Sequence, residues 1–323
     1  MPALPDVVEL ESAAEIVYRS VAPTPQYAWP LLAQRLGTEV WVKHENHLPV
    51  GAFKLRGALV YFEGLKRRAP EVRGVIAATR GNHGQAVAYA AKLHDLTATI
   101  VVPHGNSREK NAATRALGAE LIEHGEDFQE SVVHAMRLER ERGLHRVASF
   151  HRDLLRGAAT FWLELFRAAP ELDVILAPIG LGSNICGAAA ARAACGSRAR
   201  IIGVVSDRAT AYAQSFAQRR PVESPVSTRI ADGLACRTPD AEALGIIFEV
   251  VDEIVQVSDD EVEAAMAAYF ADTHNVAEGA GAAALAAALQ LKERLRGKRV
   301  GLPLSGGNVD REVFARVLAL NRN

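Results

Sequence analysis

The sequence predicts an α/β protein in which parallel sheets are flanked by helices. Short β-branched runs alternate with helical patterns from Glu39 almost to the C-terminus, and most of these runs are nearly continuous in apolar residues. Such strands are typical of parallel sheets that are covered on both faces. A chain of 323 residues is also long enough to divide into two lobes.

Taken in order, the alternating pattern predicts both strands and helices. The strands are expected at Glu39–Lys43, Gly74–Ala78, Thr97–Val102, Glu120–Glu123, Asp173–Ala177, Ile201–Val205, Glu253–Val257 and Val300–Leu304. The helices are expected at Leu55–Arg67, Gln85–His94, Arg108–Leu117, Ser131–Arg142, Ile185–Ala194, Asp259–Asp272 and Glu278–Leu291. Ser258 and Glu261 have capping-box spacing at the start of one helix. Periodicity leaves one sheet or two possible, and the loop sequences favour two.

Composition and charge exclude several classes of protein. The net charge is −1 and the basic residues are scattered, so no nucleic-acid partner is expected. The Ala-rich stretch Gly279–Leu289 is too short to span a bilayer, and the N-terminus does not resemble a signal peptide. An odd set of cysteines without C-x-x-C spacing argues against disulfides and zinc and for a reducing cytoplasm: Cys186, Cys195 and Cys236.

The first loop that carries chemistry runs from Lys43 to Ala58 and places Lys54 in the first turn of a helix. A functional lysine needs desolvation, which lowers its pKa and leaves a free amine to attack a carbonyl. Phe53 and Leu55 would supply apolar surroundings, whereas Arg56 would disfavour a second nearby cation. The alternative is a solvated lysine.

The second loop follows the strand Gly74–Ala78 and opens a helix with the sequence Thr79-Arg80-Gly81-Asn82-His83-Gly84. Backbone N–H groups in the first turn of such a helix attract an anion such as a carboxylate. The alternative is a simple strand–helix turn in which Asn82 is a cap. A simple turn, however, does not need this run of polar side chains.

The third loop lies between the strand Asp173–Ala177 and an Ala-rich helix, and contains Gly180-Leu181-Gly182-Ser183-Asn184. It does not match G-x-G-x-x-G, because Ile185 stands at the third glycine, and no Gly-Lys-Ser/Thr follows. A loop of small residues at a helix N-terminus can hold a dianionic phosphate through backbone N–H groups. The alternative is a tight turn.

A fourth segment, Ser305-Gly306-Gly307-Asn308, follows the last predicted strand. Ser305 would lie at the carboxyl edge of that strand, where doubly wound sheets bind ligands. The alternative is a turn serine.

In this order and spacing, the four segments resemble the fold-type-II pyridoxal-phosphate (PLP) enzymes, in the serine/threonine dehydratase and serine racemase branch. The resemblance extends to Thr24-Pro25, Ile230-Ala231-Asp232-Gly233 and Glu278-Gly279-Ala280-Gly281-Ala282. It implies a two-domain fold like that of the tryptophan synthase β subunit. Residues 50–150 would form a small mobile domain and residues 1–49 plus 151–323 a large cofactor-binding one, with the site between them. Enzymes of this branch are commonly dimers or tetramers, so a homodimer or homotetramer is expected.

The resemblance also implies roles for individual residues. Lys54 would carry the cofactor and act as general base, Phe53 would pack near the ring, and Asn82 would bind the phenolic oxygen. The α-carboxylate would lie against Thr79, Asn82 and His83. The phosphate would lie against Gly180, Leu181, Gly182, Ser183 and Asn184, and the pyridine nitrogen against Ser305. Leu181, Ser183 and Asn184 depart from the usual four glycines followed by leucine.

The implied activity is β-elimination from L-threonine and/or L-serine, which gives a 2-oxo acid and ammonia. One alternative is a dehydratase for another β-hydroxy amino acid, such as 3-hydroxyaspartate; Arg80 would then bind the second carboxylate. Another is an amino-acid racemase, although racemases place serine where this chain has Arg80. A cofactor-binding carrier without catalysis is a rival from a different class.

No metal site is expected. Metal-binding members of the branch carry carboxylates where this chain has Val205 and Ala211, and Asp207 is out of register. A hard divalent cation needs several oxygen ligands. His44 and His47 lie three residues apart, but no third ligand is near them in the sequence.

Overall fold

The computed structural model describes residues 4–320, and the strands form two sheets. The first sheet has the order β1-β2-β10-β7-β8-β9, and the second has the order β5-β4-β3-β6. Every neighbouring pair is parallel except β1 and β2. The strands are β1 (Gln26–Ala28), β2 (Glu39–His44), β3 (Gly74–Ala78), β4 (Thr97–Val102), β5 (Glu120–Glu123), β6 (His145–Arg146), β7 (Val174–Pro178), β8 (Arg200–Ser206), β9 (Glu253–Val257) and β10 (Arg299–Leu304).

Helices connect most of these strands. They are α1 (Val7–Tyr18), α2 (Pro30–Leu36), α3 (Lys54–Arg68), α4 (Asn82–Leu93), α5 (Arg108–Ala116), α6 (Phe128–Arg142), α7 (Arg152–Ala168), α8 (Ser183–Ala194), α9 (Ala211–Gln218), α10 (Ala241–Val250), α11 (Asp259–Thr273), α12 (Gly279–Gln290), α13 (Lys292–Leu295) and α14 (Arg311–Leu320). Within residues 4–320, none has the length and apolarity that a bilayer span requires.

The predicted α/β class and all the predicted strands are confirmed, and the strands form two sheets. Each strand has ends within about one residue of those predicted. The short strands β1 and β6 were not predicted, because they have only 3 and 2 residues. Helices α4, α6 and α8 begin two or three residues earlier than predicted, since their first turns are mostly small or polar and lack an apolar period. The capping box of Ser258 and Glu261 is present at the start of α11.

Helix α7 is the largest element that was not predicted, and it packs against both α3 and α8. Small residues allow the close approach to α3: a Cβ on Gly157 would lie 2.2 Å from the carbonyl oxygen of Arg56. A Cβ on Gly57 would lie 2.8 Å from the carbonyl oxygen of Leu154. Helix α7 therefore fixes the position of α3, whose first residue is Lys54.

Backbone hydrogen bonds join the loop before α3 to the loop after β10. Phe53 N–H donates to the Ser305 carbonyl at 3.0 Å, and Gly307 N–H donates to the Gly51 carbonyl at 2.9 Å. Ala52 and Gly306 form an antiparallel bridge between these contacts. This ladder holds the lysine loop at the carboxyl end of β10.

Candidate active site

One cavity of about 840 Å³ collects the loops that sequence analysis singled out. It lies where α3, α4 and α8 begin and where β10 ends. All of the predicted site residues line it: Phe53, Lys54, Thr79, Arg80, Asn82, His83, Gly180, Leu181, Gly182, Ser183, Asn184 and Ser305. The structure thus brings together loops that are up to about 250 residues apart in the sequence.

Lys54 is the first residue of α3, and its amine lies inside the cavity. Nζ is 3.3 Å from Ser183 Oγ and 5.0 Å from the centroid of the Phe53 ring. Burial lowers the pKa of Lys54 from its ordinary value of 10.5 to about 8. A substantial fraction of this amine is therefore neutral, and nucleophilic, at mildly alkaline pH.

Arg56, the cation expected to oppose a charged Lys54, is neutralised in the structure. Its guanidinium is fully buried, with Nε 2.7 Å from Glu45 Oε2 and NH2 3.0 Å from Glu164 Oε2. Glu164 also pairs with Lys43, and the Thr24 hydroxyl donates to Glu45 Oε1 at 2.6 Å. Two cations and two anions balance in this cluster, so Arg56 carries no unpaired positive charge.

Helices α4 and α8 begin at the cavity after a glycine and without a side-chain cap. Helix α4 follows Gly81 and helix α8 follows Gly182, and neither preceding residue accepts a first-turn N–H through its side chain. Most other long helices do have such a cap, such as Asp6 at α1 and Ser258 at α11. The first-turn N–H groups of α4 and α8 are therefore available to anions.

The glycines before α8 allow a close backbone approach. Gly182 has φ +106, and a Cβ there would lie 2.5 Å from the Cβ of Ala243. A Cβ on Gly180 would lie 2.4 Å from the carbonyl oxygen of Gly233. Both positions therefore require glycine for this loop conformation.

The two polar side chains of this loop, Ser183 and Asn184, make different contacts. Asn184 Oδ1 accepts from Trp162 Nε1 at 3.0 Å, and Asn184 Nδ2 donates to the Pro178 carbonyl at 3.1 Å. Its amide therefore braces the loop from within, and its backbone N–H remains for a ligand. Ser183 instead directs its hydroxyl towards Lys54.

His83 is buried, and its Nε2 has no hydrogen-bond partner. Burial and the neighbouring Lys54 lower the pKa of His83 to about 3, so the imidazole is neutral near pH 7. Thr79 Oγ1 accepts from Gly81 N–H at 3.0 Å, which leaves the hydroxyl hydrogen for another acceptor. Both side chains therefore retain capacity to bind a ligand in the cavity.

A chain of charged residues extends from Asn82, and part of it was missed by sequence analysis. Asn82 Nδ2 donates to Glu278 Oε1 at 2.5 Å, and Lys110 Nζ lies 3.1 Å from Glu278 Oε2. Lys110 is also 3.6 Å from Asp232, and Arg80 reaches the other oxygen of Asp232 at 4.0 Å. Lys110 could not be identified as a site residue from the sequence, because it looks like any polar residue of an amphipathic helix. Glu278 and Asp232 lay in segments that carried the resemblance, but neither had an assigned role.

Ser305 is buried at the end of β10, and its hydroxyl has only a long contact of 3.4 Å with the Ala280 carbonyl. Its oxygen therefore remains available to a ligand in the cavity. Its backbone carbonyl is used in the ladder to Phe53.

The histidines near the lysine loop belong to a separate aromatic cluster. His44 Nε2 accepts from Trp29 Nε1 at 2.9 Å, and burial lowers the pKa of His44 to about 4. His47 Nε2 lies 2.8 Å from Asn275 Oδ1. Across residues 4–320, no group of three or more His, Cys, Asp or Glu side chains is placed to hold a metal ion.

Comparisons with known proteins agree with this geometry. The family model described as "Pyridoxal-phosphate dependent enzyme" matches residues 17–306. The chain is 37% identical to an L-threonine ammonia-lyase of Geobacter sulfurreducens, over 88% of this chain and 71% of that protein. It is 34% identical to an L-threo-3-hydroxyaspartate ammonia-lyase of Saccharomyces cerevisiae, over 99% of this chain and 97% of that protein.

Among solved structures, maize serine racemase superposes with a TM-score of 0.90 at 28% identity, covering 99% of this chain and 98% of that one. The family model covers most of the chain, and the curated relatives exceed 30% identity over nearly all of it. The chain therefore belongs to the pyridoxal-phosphate dependent enzymes of fold type II, in the branch of the threonine dehydratases and serine racemases.

Proposed function

We propose that this chain is an ammonia-lyase that converts L-threonine and/or L-serine to a 2-oxo acid and ammonia. Water is eliminated across the Cα–Cβ bond, and the resulting enamine takes up water again to release ammonia. The observation that carries the proposal is the amine of Lys54, desolvated in a cavity beside two uncapped helix N-termini. Its similarity to L-threonine ammonia-lyases supports this choice of substrate.

The residues of the cavity fit pyridoxal phosphate. The N-terminus of α8 offers backbone N–H groups to a dianionic phosphate, and the buried Ser305 hydroxyl offers a neutral partner to the pyridine nitrogen. Phe53 offers an apolar ring near Lys54, and Asn82 offers an amide to the phenolic oxygen of the cofactor. When bound, the cofactor supplies the electron sink that stabilises negative charge on the substrate α-carbon.

Lys54 performs two tasks in this proposal. It holds the cofactor through Nζ, and as a free amine it takes the proton from the substrate α-carbon. A base is most effective when its pKa lies near the working pH, and burial lowers that of Lys54 to about 8. Arg56, two residues along the chain, carries no unpaired positive charge, because it pairs with Glu45 and Glu164.

The N-terminus of α4 receives the substrate carboxylate. The first-turn N–H groups of Asn82 and His83 point along the helix axis into the cavity, and the Thr79 hydroxyl has a free hydrogen. A carboxylate held there orients the α-carbon towards the base. His83 contributes no positive charge, since its imidazole is neutral.

A second candidate substrate is 3-hydroxyaspartate, and the observation that favours it is the loose pairing of Arg80. Its guanidinium is partly exposed in the cavity, and its ion pair with Asp232 is long at 4.0 Å. Such a fork can bind a second carboxylate in a bidentate way. The Arg80→Ala variant tests this: a fall in turnover of 3-hydroxyaspartate relative to L-threonine is expected, and an unchanged ratio excludes the role.

The proposal includes a division into domains, a location and an assembly. Residues 50–150 would form the small mobile domain, and the placement of β3 to β6 within residues 74–146 supports this division. A cytoplasmic location is proposed from the number and spacing of the cysteines, which are unpaired in the described chain. A homodimer or homotetramer is proposed from the family resemblance.

A substrate screen tests the proposed function. Purified holoenzyme is incubated with L-threonine, L-serine, D-serine and 3-hydroxyaspartate, and both 2-oxo acid and ammonia are measured. Equal amounts of the two products from L-threonine or L-serine are expected. Bound cofactor without product from any of these substrates would instead favour a carrier without catalysis.

A further inference from the structure

The orientation of the Asn82 side-chain amide is fixed by a chain of hydrogen bonds. This chain begins at the Val50 carbonyl, which can only accept. Asn308 Nδ2 donates to the Val50 carbonyl at 2.8 Å and to Asn82 Oδ1 at 2.9 Å. Both Nδ2 hydrogens of Asn308 are used in this way. The carbonyl end of the Asn82 amide must therefore face Asn308.

The other end of the Asn82 amide meets a group that accepts. Asn82 Nδ2 donates one hydrogen to Glu278 Oε1 at 2.5 Å, and an amide nitrogen has two. The remaining hydrogen is left for a ligand in the cavity. Asn82 thus presents a donor to the cavity, and the reversed amide would put two donors against each other at Asn308.

Glu278 lies between two donors and is itself buried, with 5% of its surface exposed. Lys110 Nζ faces Oε2 at 3.1 Å, while Asn82 faces Oε1. Burial alone would lower the pKa of Lys110, but the charges of Glu278 and Asp232 raise it, so the ammonium persists. Oε2 makes no hydrogen bond and is held by the charge of Lys110, whereas Oε1 accepts from Asn82. Position 278 therefore needs an oxygen, and not an NH₂ group, at both ends.

Gly306 leaves the space in which this contact forms. A Cβ at that position would lie 2.5 Å from Glu278 Oε1 and 3.1 Å from Asn82 Nδ2. The Gly306 carbonyl also accepts from Glu278 N–H at 3.1 Å. The loop after β10 thus positions the Glu278 carboxylate through its backbone.

We propose that Glu278 is a positioning residue: held by Lys110, it acts together with Asn308 to fix the Asn82 amide, so that an N–H and not a carbonyl faces the phenolic oxygen of the cofactor. The inference rests on the proposed role of Asn82. It assigns Lys110 to the same unit: Lys110 and Glu278 also line the cavity, but the contact proposed with the phenolic oxygen is that of Asn82.

Glutamine at position 278 tests the requirement for two acceptors. In Glu278→Gln only one end accepts, so either Lys110 or Asn82 must face an NH₂ group. Lys110→Met removes one of the two donors. The double variant then lets the glutamine carbonyl turn to Asn82, so Lys110→Met is expected to rescue Glu278→Gln.

The experiment compares wild type, Glu278→Gln, Lys110→Met/Glu278→Gln and Asn82→Ala as holoenzymes. The readouts are the ratio of visible to near-ultraviolet absorption of the lysine-bound cofactor, and the concentration of pyridoxal phosphate that half-saturates the protein. Glu278→Gln is expected to change the ratio and weaken binding roughly tenfold, the size expected for one charge-assisted hydrogen bond. The double variant should recover most of both.

The possible outcomes distinguish the role of Glu278 from that of Asn82. If the absorption ratio and the cofactor affinity change in Asn82→Ala but not in Glu278→Gln, the role of Glu278 is refuted and that of Asn82 is retained. No change in Asn82→Ala overturns both. If Glu278→Gln does not fold, as judged by its melting temperature, Glu278→Asp keeps the charge but shortens the reach to Asn82, and it must give the same spectral change.

Discussion

The amine of Lys54 lies 3.3 Å from the hydroxyl of Ser183, so the first residues of α3 and α8 meet in one cavity. In the proposed function the amine holds the cofactor at one end while the N-terminus of α8 holds the phosphate at the other. The following predictions start from this arrangement.

Lys54 is expected to be the residue that binds the cofactor covalently. The holoenzyme should absorb in the visible or near-ultraviolet, and borohydride reduction followed by peptide mapping should place the pyridoxyl group on Lys54. Lys54→Ala should lose the band and at least about a thousandfold of the activity, since it loses both anchor and base. A pyridoxyl group on another lysine would refute the assignment.

The pH dependence of cofactor capture should report the lowered pKa of Lys54. Only the neutral amine attacks an aldehyde, so the rate with the cofactor-free protein should rise with pH and level off above about 8. Because burial lowers the pKa, the inflection should lie well below that of an ordinary lysine, near 10.4. Stopped-flow absorbance gives the profile, and an inflection near the ordinary value would contradict burial as the controlling factor.

Arg80 is expected to exclude efficient racemisation. A racemase needs a second group that exchanges protons on the face of the α-carbon opposite the lysine, and a guanidinium does not do so near neutral pH. Formation of the D-isomer and exchange of the α-proton in D₂O should therefore be much slower than elimination. Racemisation at a rate comparable to that of elimination would contradict this prediction.

Divalent metal is expected to be dispensable for activity. Val205 and Ala211, which stand where metal-binding relatives are expected to carry carboxylates, are buried apolar residues. Activity after treatment with a chelator should remain within about twofold of the untreated enzyme, since a hard cation needs several oxygen ligands. Strong loss that magnesium or calcium restores would show that a metal site exists.

Removing Arg56 should destabilise the fold, because it leaves Glu45 without its ion-pair partner and leaves Lys43 alone to balance two buried carboxylates. Arg56→Met is expected to cost about 3–5 kcal/mol in the free energy of unfolding, measured by urea denaturation. Arg67→Met is a matched control on the same helix, since the Arg67 side chain is 69% exposed. Its effect should stay within about 0.5 kcal/mol. Equal effects of the two variants would argue against the cluster as a source of stability.

Sequence analysis predicted the longer strands and the loops of the cavity, because apolar runs and polar loops are local features. It did not predict that α7 supplies Glu164 to Arg56, or that Lys110 reaches Glu278. Periodicity shows that a face is buried but not which distant side chain it meets. The neutralisation of Arg56 and the direction of the Asn82 amide depend on such contacts, so they became visible only in the structure.

The ladder between residues 51–53 and 305–307 has a mechanical consequence. It ties the anchor lysine to the frame of the six-stranded sheet, while the N-terminus of α4 follows β3 of the other sheet. Lys54 follows this ladder directly, so motion of the proposed small domain, residues 50–150, would pivot at the lysine loop and displace the anchor amine least. The N-terminus of α4 lies further along the chain and would move more, so such motion would act on the groups that hold the substrate carboxylate.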